Sequence, residues 1–198
     1  MYQVPSHLIQ SSKQSFELQL PVQFLKKLEW DVTQLSDLEK HLDIRSVYQS
    51  INCAITAWHM TDWVFQFMTD GQRANFTPAR AAHLPEEIAR SSAPDKAWRQ
   101  LKDQLAKAQL NQFRRRIMKA SDELRICRYV ADTSKHRLLT HNPDYELQAT
   151  TVSWNPDGGA TWQFPLVFDG PKQHRLPELM HRAHRFWTIY IRWLSNSK

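Results

Sequence analysis

The chain has 198 residues, 41% of them hydrophobic and 23% charged, the balance of a single soluble globular domain able to bury a core without disulfide or metal staples. Two cysteines exclude a disulfide framework, and no apolar run approaches the ~20 residues that cross a bilayer, so no membrane partner is expected. The net charge is +6 and uneven: five Lys/Arg stand against eight Asp/Glu over residues 1–70, and twenty-one against twelve over 71–198, so the C-terminal portion suits an anionic partner such as RNA, DNA or an acidic protein surface.

Residues 1–20 are polar, lack a period and read as an N-terminal arm. They also lack the charged-then-apolar order of a secretory signal, which leads us to expect a cytoplasmic protein. From Pro21, the positions Val22, Leu25, Leu28, Val32, Leu35, Leu38 and Leu42 recur at three and four. That is one stripe of an amphipathic helix with proline in its first turn. A second helix, from about Arg45 to Met68, is apolar around much of its circumference and should be the most buried.

Residues 71–94 form a connector with Pro78, Pro85 and Pro94, enclosing a short helix at "PEEIAR". "SSAPDKAW" supplies a helix start, and the helical pattern continues to about Leu139, a length that calls for a break near 109–112. The period then changes. "YELQATTVSW" (145–154) and "ATWQFPLVF" (160–168) alternate around the turn signal "NPDGG", which predicts a β-hairpin. Pro165 should place its strand at a sheet edge. A last helix runs from about Pro177 to Leu194. The expected fold is mainly α, an antiparallel bundle of about four main helices with a β-hairpin inserted before the last, in one domain spanning 1–198.

Charge inside two buried-looking helices marks the candidate sites. "AWHMTDWVFQF" (57–67) carries His59 and Asp62 on one helical face. "LRICRYVADTSKH" (124–136) carries Arg125, Arg128, Asp132, Lys135 and His136 along one face, with Arg128–Asp132 at ion-pair spacing. A covered charged face must find partners, and His59 and Asp62 could supply them. "FRRRIMK" (113–119) adds Arg114, Arg115 and Arg116, fanned around the helix. The last helix adds His174, Arg175, His181, Arg182, His184 and Arg185, interleaved with Phe186 and Trp187. Such arginines give salt-sensitive, largely sequence-blind phosphate contacts. A metal reading draws on His59, Asp62, Asp132 and His136 with His181 and His184, but no HExxH or Glu-x-x-His pair is present, and no metal or cofactor is expected.

A mostly helical chain with a late Arg-to-His constellation, Arg128 to His136, and a basic face resembles the HEPN superfamily. Its signature is Rx4–6H; here Arg128 and His136 are separated by seven residues, and Arg137 and His141 by three. The resemblance implies RNA binding or metal-independent RNA cleavage, in a bacterial toxin or defence setting. Carried over, His136 is the acid/base and Arg128 the phosphate stabiliser, with Asp132 and His59 orienting them. Asp62, Lys135, Arg125, Arg114, Arg115, Arg116, Arg182 and Arg185 would then bind the RNA. Two other readings stay open: a non-enzymatic module that docks a protein partner or a second copy, with a buried polar network, and a metal-dependent hydrolase.

Overall fold

A computed structural model describes residues 18–40, 45–92, 95–135, 147–154 and 162–196. The expected arm, apart from its last three residues, lies outside them, as does His136. The chain is mainly helical: α1 (Pro21–Lys40), α2 (Arg45–Phe67), α3 (Asp70–Ala74), a 3₁₀ turn (Ala79–Ala81), α4 (Leu84–Arg90), α5 (Asp95–Ala120), α6 (Asp122–Lys135) and, after the strands, α7 (Leu176–Asn196). The strands β1 (Leu147–Trp154), β2 (Trp162–Asp169) and β3 (Lys172–Arg175) precede α7 and form one antiparallel sheet in the order β1-β2-β3. Two compact units result. The described parts of Met1–Met60 and Ser121–Lys198 make one; Thr61–Ala120 makes the other.

In the first unit, α1 starts where the Gln23 side chain accepts hydrogen bonds from the Gln19 and Leu20 amides at 2.7 and 2.9 Å, which satisfies backbone donors that no helical carbonyl reaches. Its buried stripe is Leu28, Val32 and Leu35, as the three-and-four spacing requires. Helix α7 is the most connected element of this unit. Leu179, Met180, Ala183 and Trp187 on one of its faces are fully buried, and the Trp187 indole N–H donates to the Ala57 carbonyl of α2 at 2.9 Å. A bond of 2.9 Å joins Ser36 Oγ and His181 Nε2, while Glu29, two turns earlier on α1, acts on His184, later on α7. The two helices therefore run antiparallel. Glu123–Arg182 and Cys127–Met180 contacts fix the same relation between α6 and α7.

The helical run after residue 95 breaks at Ser121, not near 109–112. The helix runs unbroken through there, where Gln109 is buried and donates to Thr77 Oγ1 at 2.9 Å. Ser121 Oγ accepts from the Leu124 amide at 3.2 Å and begins α6 as an N-cap, with Asp122 and Glu123 in the first turn.

The expected hairpin is present, with Leu147↔Asp169 and Trp154↔Trp162 at its ends. A third strand follows it. Gly170 takes φ 55° in the two-residue turn at 170–171, a conformation glycine adopts without strain, and β3 returns along β2. Thus β2 is the middle strand, and Pro165 does not mark an edge. Its position explains the tolerance: β3 pairs only with Leu166–Asp169, so Pro165 stands just before β2 acquires its second neighbour. His174 and Arg175 belong to β3 rather than to the last helix.

In the second unit, the connector is more helical than its prolines suggest. Thr69 and Gln72 form a reciprocal cap that starts α3, with side-chain-to-backbone bonds of 3.2 and 2.9 Å. In α4, Pro85, Glu86 and Glu87 occupy the first turn and Arg90 the last, an order that matches the helix dipole. The core centres on Phe113, whose ring lies 5.9 Å from that of Phe65 and 5.1 Å, edge-on, from that of Phe76.

Candidate functional site

The charged residues singled out in the sequence separate into distinct environments. On α6, Arg128 Nε lies 3.4 Å from Asp132 Oδ2, and the Arg128 guanidinium stands 5.9 Å from the centre of the Trp58 ring. Both partners are half-exposed. Arg125, one turn earlier, turns inward and donates to Asp169 Oδ2 at 2.5 Å, with Asp122 3.7 Å away. Lys135 closes α6, and its side chain, like all of His136, lies outside the described residues. Arg128 and Asp132 are therefore brought together as expected, while Arg125 is spent on the sheet.

His59 and Asp62 share a face of α2 but take different partners. The Asp62 carboxylate accepts from Arg114 of α5 at 2.5 Å. His59 instead lines an open groove between α1 and α2, of about 430 Å³. At its base, Asp31 is only 3% exposed. Its Oδ2 accepts from Lys27 Nζ at 2.6 Å and from Thr56 Oγ1 at 2.8 Å, and Lys27 Nζ also donates to Thr56 Oγ1 at 2.8 Å. Phe24, Trp30, Gln49, Asn52 and Ile55 also line it. None of these groove residues except His59 was singled out in the sequence. Lys27 and Asp31, four apart on α1, carried a legible ion-pair spacing.

The arginines of α5 also differ from one another. Arg114 is committed to Asp62, Arg116 lies 5.0 Å over the Phe76 ring, and Arg115 is exposed. The helix as a whole carries eight Lys/Arg against two Asp and buries only Gln109, Phe113 and Ile117, so most of that charge faces water.

On α7, Arg182 donates to Glu123 at 3.0 Å. Burial alone would raise the Glu123 carboxyl, but hydrogen bonds from its own backbone, Ser121 and Arg182 together hold it below its ordinary value. Arg185 and Arg192 are exposed on the outward face. Between and beside them stand Ile189, 59% exposed, and Trp193, 57% exposed. The offsets four, three and one put all four on one stripe. Phe186 stacks on Tyr190 with ring centres 5.9 Å apart, and the Tyr190 ring meets that of Trp193 at 5.5 Å, tilted by 55°.

Thiol chemistry finds no support. Burial, then Asp31, pushes the Cys53 thiol up to about 12, and burial also raises Cys127 well above its ordinary value. Among the described residues, no three His, Cys, Asp or Glu side chains converge to hold a metal ion, and no helix is long and apolar enough to cross a membrane. Comparison of the chain with family models, curated proteins and solved structures gives no match.

Proposed function

We propose that this chain is a HEPN-like RNA-binding protein whose outward face of α7 engages the sugar-phosphate backbone of a single strand. The observation that carries the reading is the stripe Arg185, Ile189, Arg192 and Trp193, where two exposed guanidiniums alternate with two large exposed apolar side chains. Cations that track phosphates beside rings on which bases stack are the working parts of a single-strand surface. Binding is favoured over cleavage because Arg128, the expected phosphate stabiliser, already faces Asp132.

Anisotropy titration of a labelled single-stranded RNA across a range of salt tests this. Wild type should bind with an affinity that falls steeply with salt. The Arg185→Ala/Arg192→Ala double variant should bind more weakly, and its log–log salt slope should be shallower by about 1.4, the share of two phosphate contacts on a single strand. Salt-independent binding, or an unchanged slope, would remove the reading. Cleavage of the same RNA in EDTA, abolished by His136→Ala, would instead restore the catalytic form of the proposal.

A second reading keeps one observation. Asp62–Arg114, Arg125–Asp169, Arg128–Asp132 and Glu123–Arg182 are all ion pairs, as a non-enzymatic interaction module with structural polar contacts would have. Its test is partner capture or self-association without RNA.

A further inference from the structure

We infer that α5 is a second RNA-binding surface, one that holds the phosphate backbone of a flexible strand by charge alone. The inference rests on the RNA-binding reading for its ligand class, but it stands on a different helix from the α7 stripe.

The net charge of the chain is confined to one element. Helix α5 holds eight Lys/Arg against two Asp, a surplus equal to the +6 of the whole chain. Everything outside α5 is balanced, eighteen Lys/Arg against eighteen Asp/Glu. Carboxylates elsewhere in the second unit do not reach this surplus. Asp62 takes Arg114, while Asp70, Glu86 and Glu87 lie within 4.0 Å of Arg73, Arg90 and His83. On α5 itself, Asp95 sits in the first turn, where a carboxylate stabilises the helix dipole. Asp103 stands four residues from both Arg99 and Lys107, yet pairs with neither.

Lys96, Arg99, Lys107, Arg115 and Lys119 are exposed and make no ion pair among the described residues. The fold gains nothing from them. Arg115 and Lys119 are like charges at four-residue spacing, which disfavours a helix until an anion lies beside them.

Reach, anchors and layout together choose the partner. From Lys96 to Lys119 the helix rises about 35 Å, far beyond one nucleotide or one inorganic phosphate, so the matching anion is a polymer. Apolar anchors are scarce. Of the large exposed hydrophobic residues only Trp98 lies on α5, and Lys102 Nζ stands 3.5 Å from the centre of its ring. Protein interfaces are enriched in aromatic anchors and poor in lysine, whereas a phosphate backbone needs only cations. The layout then selects a flexible strand. Lys96, Arg99 and Lys107 share roughly a quarter of the helix circumference, and Arg115 and Lys119 lie about a third of a turn further round. A planar anionic surface meets one group at a time. A single strand bends to follow both, as strands do along positively charged tracks.

The test is an anisotropy titration of a labelled oligouridine long enough to span α5, repeated across salt on the full chain. Wild type is compared with Lys96→Gln/Arg99→Gln/Lys107→Gln and with Arg185→Ala/Arg192→Ala. The α5 triple variant, with an unchanged circular dichroism spectrum, should bind more weakly. Its log–log salt slope should be shallower by about 2, three phosphates at ~0.7 each. Asp103→Asn should act in the opposite sense and tighten binding, a gain that a folding defect cannot mimic. An unchanged slope in the triple variant, or no gain in Asp103→Asn, overturns the α5 surface whatever the α7 variant does. A shallower slope in the α5 variant with none in the α7 variant keeps this inference and removes the α7 stripe. If wild type binds no RNA, both proposals fall. Polyglutamate that displaces the RNA at equal charge concentration would assign α5 to an acidic protein and overturn the phosphate partner.

Discussion

Arg125 and Asp169 meet at 2.5 Å with both side chains largely withdrawn from water, joining α6 to the end of β2 at the turn into β3. The pair ties a helix to a sheet forty-four residues later in the chain. Removing Asp169 leaves the largely buried Arg125 with Asp122 at 3.7 Å, so Asp169→Ala should destabilise the fold by about 1.5–3 kcal/mol, the worth of a hydrogen bond to a charged group, read as a fall in denaturation midpoint. The Arg125→Met/Asp169→Leu double variant should recover much of that loss, since a well-packed apolar pair can replace a buried ion pair. A single-variant cost below 1 kcal/mol would place the pair in open solvent.

Ser121 is the second point of leverage. Its hydroxyl accepts from the Leu124 amide and donates to Glu123. Ser121→Ala should cost about 1 kcal/mol, and Ser121→Asp should preserve the cap. Chemical denaturation of the three proteins measures both.

Trp187 combines complete burial with its bond to the Ala57 carbonyl. Trp187→Phe keeps most of the volume but strands the carbonyl, and about 1–3 kcal/mol should be lost. Trp187→Ala also opens a cavity and should lose about 3–5 kcal/mol.

The titration of His184 should appear in the pH dependence of stability. Burial lowers its value from 6.5, Glu29 opposes this, and His181 reinforces it. A histidine lowered in the folded state binds its proton more readily when unfolded. Stability therefore falls as pH drops from the unfolded value near 6.5 toward the folded one, and is regained as pH rises. His184→Gln should flatten this part of the profile, measured as midpoint against pH from 7.5 to 5. A profile unchanged by the substitution would show that His184 does not govern it.

Cys53 and Cys127 should resist thiol reagents in native protein and react fully in denaturant, because burial holds both thiols protonated. Rapid native labelling of either would contradict their burial.

The helices were legible wherever apolar spacing was strong. The stripe Leu28, Val32, Leu35 gave α1 to within two residues, and the alternation around "NPDGG" gave the hairpin. The break in the long helix was misplaced although its signal was present: Ser121 followed by Asp122 and Glu123 is a capping sequence, masked by continuous apolar periodicity on both sides. The third strand was missed because "KQHR" has no strand-like composition; only Asp169–Gly170 hinted at a tight return. Site residues were harder. Spacing placed His59 with Asp62 on one face, but a face says nothing of which neighbour each side chain meets, and the two turned to different partners. The groove was harder still: Lys27 and Asp31 show an ordinary ion-pair spacing on α1, and nothing in the sequence tells that Asp31 is buried and bonded to Thr56 of α2.

One consequence follows from the hydrogen bond between Trp187 and Ala57, which spans 130 residues. On the ribosome, α1 and α2 emerge long before the helix that covers them. At ~5–20 residues per second, the apolar stripe of α1 waits on the order of ten seconds for α7. Residues 61–120 form a compact unit of their own and lie wholly inside that interval. They can fold while the first unit is still half-made. A nascent chain arrested before Leu176 should therefore carry a folded insert beside exposed Leu28, Val32 and Leu35, a species suited to chaperone capture and to early proteolysis.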